Sequence, residues 1–260
     1  TVDPNLALPE PPRVPRRPAL ELAASALDRF VACPARFWLL DLQGHPEPAP
    51  PAHDRATRLA GLRGRVLHAL LEEGVSEPDA VGRRFRSAAA EDGLTREETE
   101  DGLSRTSVQL ERTLSLPEVR AALAAPGGSE VPFRVEHGGV VLRGRIDRLY
   151  RAESGEHVVL DWKTEARPRD DHGRQLLAYA WAATTLGLRT TEGRVVYTAV
   201  GRVDRLGPWS DDDRAGVPAL LEAVREAAGR RWDSVLDAAR QEPRPCDRCG
   251  FRGRSCPGVG

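Results

Sequence analysis

The sequence predicts an α/β protein: a small mixed β-sheet flanked by helices, with a helical N-terminal part and a C-terminal tail held by cysteines. Three observations support this fold class. Apolar residues recur at helical spacing before about residue 125. A segment rich in β-branched residues and interrupted by glycine turns begins at Glu130. Residues 241–260 have no periodicity but hold three of the four cysteines.

The composition sets limits on function. The 38 basic and 39 acidic residues nearly cancel, so a nucleic-acid-binding surface would have to be a local patch. No apolar stretch is long enough for a membrane span or a signal peptide, so we expect a soluble, cytoplasmic protein without a membrane partner. The absence of methionine, even at position 1, predicts a piece of a longer polypeptide, with a processed N-terminus as the alternative.

The N-terminal region is expected to begin with an extended arm, because residues 1–20 are rich in proline. Ser25 and Asp28 resemble a capping box that opens a helix. Pro34 should kink or restart that helix, because proline lacks the backbone N–H that an interior position needs. Cys33 would then lie at a helix irregularity.

Two helices are predicted next, over about 56–73 and 95–123. The first has apolar residues at helical spacing: Leu59, Leu62, Val66 and Leu70. The second begins at Thr95, with two glutamates in its first turn, and ends near Pro126. We therefore expect a helical insert over about 56–125, with almost no strand before it ends.

Three antiparallel strands are predicted over 130–164, with glycine turns after His137 and Glu153. The elements expected after them are a helix over 174–186, a strand over 194–200 and a helix over 211–232. Pro218 is a candidate break in the last helix. Together these elements, at about 130–232, should form the core of the fold.

One predicted strand carries an acid and a base. Alternation in VVLDWKT puts Asp161 and Lys163 on one face, about 7 Å apart, with the other face in the core. The preceding strand supplies Asp147, which a hairpin register could place beside Asp161. Two carboxylates within reach would bind Mg²⁺ or Mn²⁺, and the lysine could position or help deprotonate a water. Taken alone, the same residues could form solvated surface ion pairs.

Gln175 and Tyr179, four residues apart on the next helix, complete a pattern of an acid, D-x-K and Q-x-x-x-Y. This pattern resembles the RecB-like nuclease family of the PD-(D/E)XK superfamily. The resemblance implies a restriction-endonuclease-like core and Mg²⁺- or Mn²⁺-dependent DNA cleavage. Asp147, Asp161 and Lys163 would be catalytic, and Gln175 would steady the lysine or contact DNA. Tyr179 could instead be an ordinary core aromatic.

The resemblance implies three further site residues. His68, in a G-x-x-x-H helix, points away from the apolar stripe and matches a metal-ligating histidine. Glu130 matches an acid one strand before Asp147 that acts as a further ligand or support, although an exposed loop acid is an equal alternative. The backbone carbonyl of Trp162 is a further candidate ligand.

Cys246, Cys249 and Cys256 lie within eleven residues, and Cys33 lies more than two hundred positions upstream. Four thiolates suit either zinc or a cubane iron–sulfur cluster, and spacing does not separate the two. Iron–sulfur members of the RecB-like family, such as the AddB and AdnAB helicase–nucleases, have one cysteine before the core and three after it. The resemblance therefore implies a 4Fe–4S cluster, although six residues separate Cys249 from Cys256 where five are usual.

Four arginines near these cysteines could contact phosphates or remain solvated: Arg244, Arg248, Arg252 and Arg254.

The resemblance implies a nuclease domain over 21–260, with a cluster tail over 241–260. We expect an exonuclease that acts on single-stranded DNA ends and leaves 5′-phosphates. It would be the C-terminal nuclease domain of a helicase–nuclease in double-strand-break resection and repair, beside a helicase domain of the same polypeptide and a partner subunit. The alternatives are a catalytically silent DNA-binding module, a stand-alone CRISPR-adaptation-type exonuclease and a zinc-stabilised interaction domain.

Overall fold

A computed structural model describes residues 20–48, 55–165, 172–241, 246 and 249–258. Within these ranges six strands form one mixed sheet flanked by helices, which confirms the predicted α/β architecture. The predicted arm at 1–19 lies outside the described residues, as do Arg244 and Arg248. Among the helices in these ranges, none has the length and apolar character needed to cross a membrane.

The helices are α1 (Ser25–Ala32), α2 (Pro34–Phe37), α3 (Arg55–Glu73), α4 (Pro78–Glu91), α5 (Arg96–Ser115), α6 (Pro117–Ala124), α7 (His172–Thr185), α8 (Asp211–Ala228) and α9 (Trp232–Arg240), and a π-helical turn covers Trp38–Leu42. The strands are β1 (Leu20–Ala23), β2 (Gly127–His137), β3 (Val140–Arg151), β4 (His157–Lys163), β5 (Thr190–Tyr197) and β6 (Arg202–Leu206).

Strand β3 is central to the sheet, because other strands pair with both of its edges. One edge pairs with β2 in an antiparallel hairpin along nearly its whole length. The other edge pairs with β1, in parallel, at residues 140–143 and with β4, antiparallel, at residues 148–151. Strand β5 then runs parallel to β4, and β6 antiparallel to β5. Residues 144–147 of β3 therefore lie in a fork between β1 and β4.

Two helical layers cover the sheet. Helices α1, α7 and α8 bury the first core, which includes Leu27, Val159 and Leu221. The helical insert buries the second core on the opposite face, where Leu62 packs with Trp162. Strand β4 is consequently buried on both faces. The prediction that only one of its faces is core was wrong, because a central strand between two helical layers is covered on both sides.

Several elements differ from the sequence prediction. Strands β1 and β6 and helix α4 were not predicted. The two strands have too few residues for alternation to identify them. The helix predicted over 95–123 is two helices, since Pro117 begins α6. Helix α8 instead continues through Pro218 and ends before Gly229. Burial of Val217 and Leu221 against the first core offsets the proline penalty of about 3 kcal/mol.

The start of the fold contains one further correction. Helix α1 is capped by Ala24 without a side-chain hydrogen bond, so Ser25 and Asp28 do not form the predicted capping box. Asp28 accepts a hydrogen bond from Arg174 at 3.2 Å instead. The predicted interruption is present: Cys33 has an extended backbone between α1 and α2, which begins at proline.

Candidate active site

The β2–β3 ribbon changes the face that it buries at the position of two carboxylates. Ile146 packs in the first core, whereas Tyr150 packs in the second core on the other side of the sheet. Between them Asp147 stands opposite Glu130, because the residues on either side of both are paired in register. Glu130 has a φ of 50°, a left-handed conformation that is rare for residues other than glycine. Backbone strain of this kind concentrates at functional sites.

Asp147 and Asp161 lie side by side across two strands. Leu160 of β4 pairs with Arg148 of β3, and the same antiparallel register continues to the two aspartates. The backbone N–H of Trp162 donates to Asp147 Oδ2 at 2.8 Å. Burial, followed by the charge of Asp161, raises the pKa of Asp147 to about 8. Without a bound cation, this carboxyl therefore retains a proton near neutral pH.

Asp161 is the most deeply buried acid of the site, with 2% of its surface exposed. Its Oδ2 lies 2.7 Å from Lys163 Nζ, and this ion pair compensates the buried negative charge. A carboxylate buried this deeply needs a cationic partner, which in this arrangement is the ammonium group.

Lys163 belongs to a hydrogen-bonded chain of side chains. Burial by itself lowers the pKa of Lys163, but the adjacent Asp161 and the nearby Asp147 outweigh it and raise the pKa. The ammonium donates to Gln175 Oε1 at 3.0 Å, and Gln175 Nε2 donates to the Tyr179 hydroxyl at 2.6 Å. Burial, followed by the charge of Asp161, raises the pKa of Tyr179, so the hydroxyl stays neutral. Helix α7 thus orients the lysine.

Helix α3 supplies a histidine from the other layer. A Cβ at Gly64 would lie 3.1 Å from the Thr164 hydroxyl, so glycine lets the helix approach the end of β4 closely. His68 Nδ1 lies 3.7 Å from Asp147 Oδ2, and its ring hydrogen-bonds the backbone carbonyl of Trp162. Burial lowers the pKa of His68, although Asp161 opposes this effect. A neutral imidazole can act as a metal ligand.

The donor set suits a hard divalent cation: two carboxylates, an imidazole and a backbone carbonyl. In the described ranges, no three His, Cys, Asp or Glu side chains are already arranged to hold a metal ion. The two carboxylates make other contacts instead: Asp161 forms an ion pair with Lys163, and Asp147 accepts a hydrogen bond from the Trp162 N–H. The deep burial of the Asp161 carboxylate and the raised pKa of Asp147 both indicate carboxylates that fit a cation.

Sequence reasoning missed residues that support this site from a distance. The Thr198 N–H and hydroxyl donate to the Lys163 carbonyl at 2.9 Å and 3.0 Å. Gln109 Nε2 donates to the Thr198 hydroxyl at 2.7 Å, and Arg63 donates to Gln109 Oε1 at 2.9 Å. This network ties the helical insert to β4. Gln109 differs from a solvent-exposed helical glutamine only in that it is buried, and the sequence does not reveal this burial.

The four cysteines lie apart from the carboxylates and line one cavity beside α2 and α9. All four are free thiols. Backbone N–H groups point at three of the sulfurs: Arg36 N–H donates to Cys33 Sγ at 3.4 Å, and hydrogen bonds from Phe251 and Gly258 lower the pKa of Cys249 and of Cys256. Burial outweighs these bonds and raises the pKa of both thiols. Donors to sulfur are typical of thiolates that bind metal.

Glu47 connects this tail to the N-terminal helices. Its Oε1 accepts from the Gly250 N–H at 3.1 Å, and its Oε2 accepts from Arg36 at 2.7 Å. A Cβ at Gly250 would lie 1.9 Å from the Pro48 carbonyl oxygen, so only glycine fits there. The predicted phosphate contacts of the tail arginines remain a prediction; within the described residues Arg252 and Arg254 are exposed.

Comparisons with known proteins agree with this architecture. Among curated proteins, none matches the sequence. The solved structure "Crystal structure of SSO0001" aligns with 92% of this chain and 86% of that chain, at 16% identity and a TM-score of 0.40. The family described as "PD-(D/E)XK nuclease superfamily" matches residues 21–257. Because this match spans nearly the whole sequence, the chain belongs to the PD-(D/E)XK nuclease superfamily.

Proposed function

We propose that this chain is a Mg²⁺- or Mn²⁺-dependent deoxyribonuclease. The observation that carries the proposal is the convergence of Asp147, Asp161 and Lys163 in the fork of β3, where the buried Asp161 carboxylate lies 2.7 Å from the lysine ammonium. Superfamily membership supports nuclease chemistry in general. The combination of two carboxylates and a lysine is suited to hydrolysis of a phosphodiester.

The two aspartates would hold the cation, with His68 and the Trp162 carbonyl as further ligands. When bound, the cation would supply Lewis acidity and a more acidic water. Glu130 lies close enough to act on the pKa of Asp147 and of His68, and it would support the site electrostatically.

Lys163 would orient the attacking water and stabilise negative charge on the phosphate. Its raised pKa keeps it an ammonium ion, so we assign it these roles rather than that of a general base. In the reaction, the water oxygen forms a bond to phosphorus and the bond from phosphorus to the 3′ oxygen breaks. The products are a 5′-phosphate and a 3′-hydroxyl. Gln175 and Tyr179 would fix the lysine through their hydrogen bonds.

The substrate proposed is the end of a single-stranded DNA, as the resemblance to RecB-like nucleases implies. Incubation of the chain with end-labelled linear or internally labelled circular single-stranded DNA, in Mn²⁺ or in a chelator, tests both the metal requirement and the requirement for a DNA end. Cleavage of linear DNA only, and only with Mn²⁺, is expected. Cleavage of circular DNA would contradict the exonuclease assignment. Binding without cleavage of either substrate would favour the catalytically silent module.

We also propose that the chain works as the nuclease of a helicase–nuclease in end resection and repair. Its net charge of −1 gives little general attraction for DNA, so a motor that delivers a strand at high local concentration would help it. The comparison to make is cleavage of duplex ends by this chain and by the complete gene product, with and without ATP. Full activity of this chain alone at near-physiological salt would contradict the proposal and favour a stand-alone exonuclease.

We propose further that the four cysteines bind a 4Fe–4S cluster with a structural role. Support comes from their common cavity and from the N–H donors directed at three of the sulfurs. Protein purified without oxygen should be brown and contain about four irons per chain. Colourless protein that contains one zinc would replace the cluster with the zinc alternative.

A further inference from the structure

One half of the sheet has an outer face that no described helix covers. Strand β1, β2 and the first half of β3 bury their inward side chains in the first core, while the helical insert packs mainly over the other half of the sheet, with α3 also contacting β2. The exposed and half-exposed outward side chains on this half are Glu21, Ala23, Pro132, Arg134, Glu136, Arg143 and Arg145. We call these residues the open face. It ends at Glu130 and Asp147, beside the candidate active site. Val141, between Glu21 and Glu136, also points outward but is fully buried, so the far end of this face is partly covered.

Arginines are concentrated at the end of the open face nearest the site. Arg143 stands directly opposite Arg134, and like charges in this position destabilise a sheet. Both lie near one carboxylate, Glu21, at 2.7 Å and 3.8 Å. The ion pair of Arg145 within the described residues is a 3.6 Å contact with Glu130. One further acid, Glu136, lies at the far end of the face. Arg134 and Arg143 share the single charge of Glu21, so one positive charge is not neutralised beside Arg143, whereas Arg145 is balanced by Glu130.

The local sequence directs two of these arginines outward. In Arg143-Gly144-Arg145, a Cβ on Gly144 would lie 2.7 Å from the inward-facing Phe133 ring, so glycine keeps the strand seated on the core. The flanking side chains point away from it, with 61% of Arg143 and 70% of Arg145 exposed. Arg145 precedes Asp147 by two residues, about 7 Å along the strand.

We propose that the open face binds the phosphate backbone of the substrate DNA strand, with Arg143 and Arg145 as positioning residues. This inference rests on the proposed function. Guanidinium groups bind phosphates through paired N–H donors, and an anionic strand would relieve the repulsion between Arg134 and Arg143. The face is continuous with the site, so a strand held there would present its next phosphate to Asp147 and Lys163.

Affinity for labelled single-stranded DNA, measured in a chelator over a range of salt concentrations, tests this inference. Arg145→Gln and Arg143→Gln should each raise Kd roughly tenfold. Each should also flatten the dependence of log Kd on log salt by about 0.7, the loss of one phosphate contact. In Mn²⁺, their effect on KM should exceed their effect on kcat. Arg105→Gln, on an exposed arginine of α5 that pairs with Asp101, is the matched control and should leave Kd and the salt dependence unchanged.

A substitution that should strengthen DNA binding shows whether the changes in Kd arise from charge rather than from misfolding. Glu21→Gln removes the carboxylate that competes for Arg134 and Arg143, so it should lower Kd and steepen the salt dependence. Wild-type Kd and salt dependence in the Arg143→Gln/Arg145→Gln double variant, in a chain that still cleaves DNA, would overturn this inference alone. A wild-type chain that neither binds nor cleaves DNA would overturn the proposed function and this inference together.

Discussion

The candidate active site and the cysteine tail are held together by different means. Asp147, Asp161 and Lys163 lie on strands whose register and burial fix them without any bound ion. The described residues of the tail contain no helix of more than a turn and only a single β-bridge, between Arg252 and Cys256. Phe251, 1% exposed, is its main buried apolar side chain. The sheet thus fixes the positions of the two aspartates and the lysine, whereas the tail depends on a few long-range contacts.

Electrostatics distinguish the two regions as well. The active site combines like and unlike charges, so burial and Asp161 raise the pKa of Asp147 while Lys163 keeps its proton. At the cysteines, burial raises the pKa of Cys249 and of Cys256, and Arg36 opposes it only weakly for Cys249. Both regions would change on binding a cation, but only the tail should need one to stay in place.

The largest expected effect is at the lysine. Lys163→Ala should reduce Mn²⁺-dependent cleavage by at least about 100-fold, because it removes the group that orients water and stabilises charge. The melting temperature should change little, since β4 stays packed on both faces. Single-turnover rates and circular dichroism measure the two effects. A cleavage rate within twofold of wild type, with contaminating nucleases excluded, would contradict the catalytic role of Lys163.

A cysteine substitution should have the opposite profile. Cys33→Ala removes a sulfur that joins the tail to the start of α2, so the tail should become sensitive to protease while residues 127–240 resist it. Limited proteolysis followed by mass spectrometry locates the cuts. Ser104→Ala, at an exposed position of α5 away from the cysteines, is the control. A tail equally protected in Cys33→Ala and wild type would mean that the sulfurs do not hold it.

Metal and pH should act together on the sheet site. The folded protein keeps a proton on Asp147 up to about pH 8, whereas the unfolded chain releases it above about pH 4. Stability of the metal-free protein should therefore fall as pH rises across this window. Because a cation takes the place of that proton, Mn²⁺ should raise Tm more at pH 8 than at pH 6. Asp147→Asn should remove this difference, and an equal Mn²⁺ effect on wild type at both pH values would argue against the aspartates as ligands.

A smaller effect is expected at Glu47. Glu47→Gln keeps the shape of the side chain but weakens its bonds to Gly250 and Arg36, at a cost of about 1–2 kcal/mol in local opening. Hydrogen exchange at the Gly250 amide should accelerate, and cleavage by the sheet site should not change. Glu111→Gln, on an exposed face of α5, is the control. Unchanged exchange at Gly250 would show that Glu47 does not anchor the tail.

Local patterns in the sequence predicted much of the sheet. The turns before Val140 and His157 and the D-x-K spacing of β4 depend on neighbouring residues, so the antiparallel register that sets Asp147 beside Asp161 follows from them. The meeting of Cys33 with the tail was predicted from the four cysteines together with the family resemblance, and all four line one cavity.

What the sequence did not predict depends on contacts between distant segments. The parallel pairing of β1, the reach of Gln109 to Thr198 and the bond of Glu47 to Gly250 join residues many positions apart. The open face escaped prediction for the same reason. Arg143 and Arg145 have no periodicity that separates them from solvated charge, and their location is known only once β1 and the helical insert divide the sheet.

The most direct test of the proposed chemistry is the rate at which wild type and Asp161→Asn cleave end-labelled linear single-stranded DNA. Asn preserves the shape of this buried side chain but removes the charge that would hold a cation. Wild type should cleave in Mn²⁺ or Mg²⁺ and not in a chelator. Asp161→Asn should fold normally and cleave at least about 100-fold more slowly. Cleavage by wild type in a chelator, or equal rates for the two proteins in Mn²⁺, would contradict a metal-dependent nuclease site at the fork of β3.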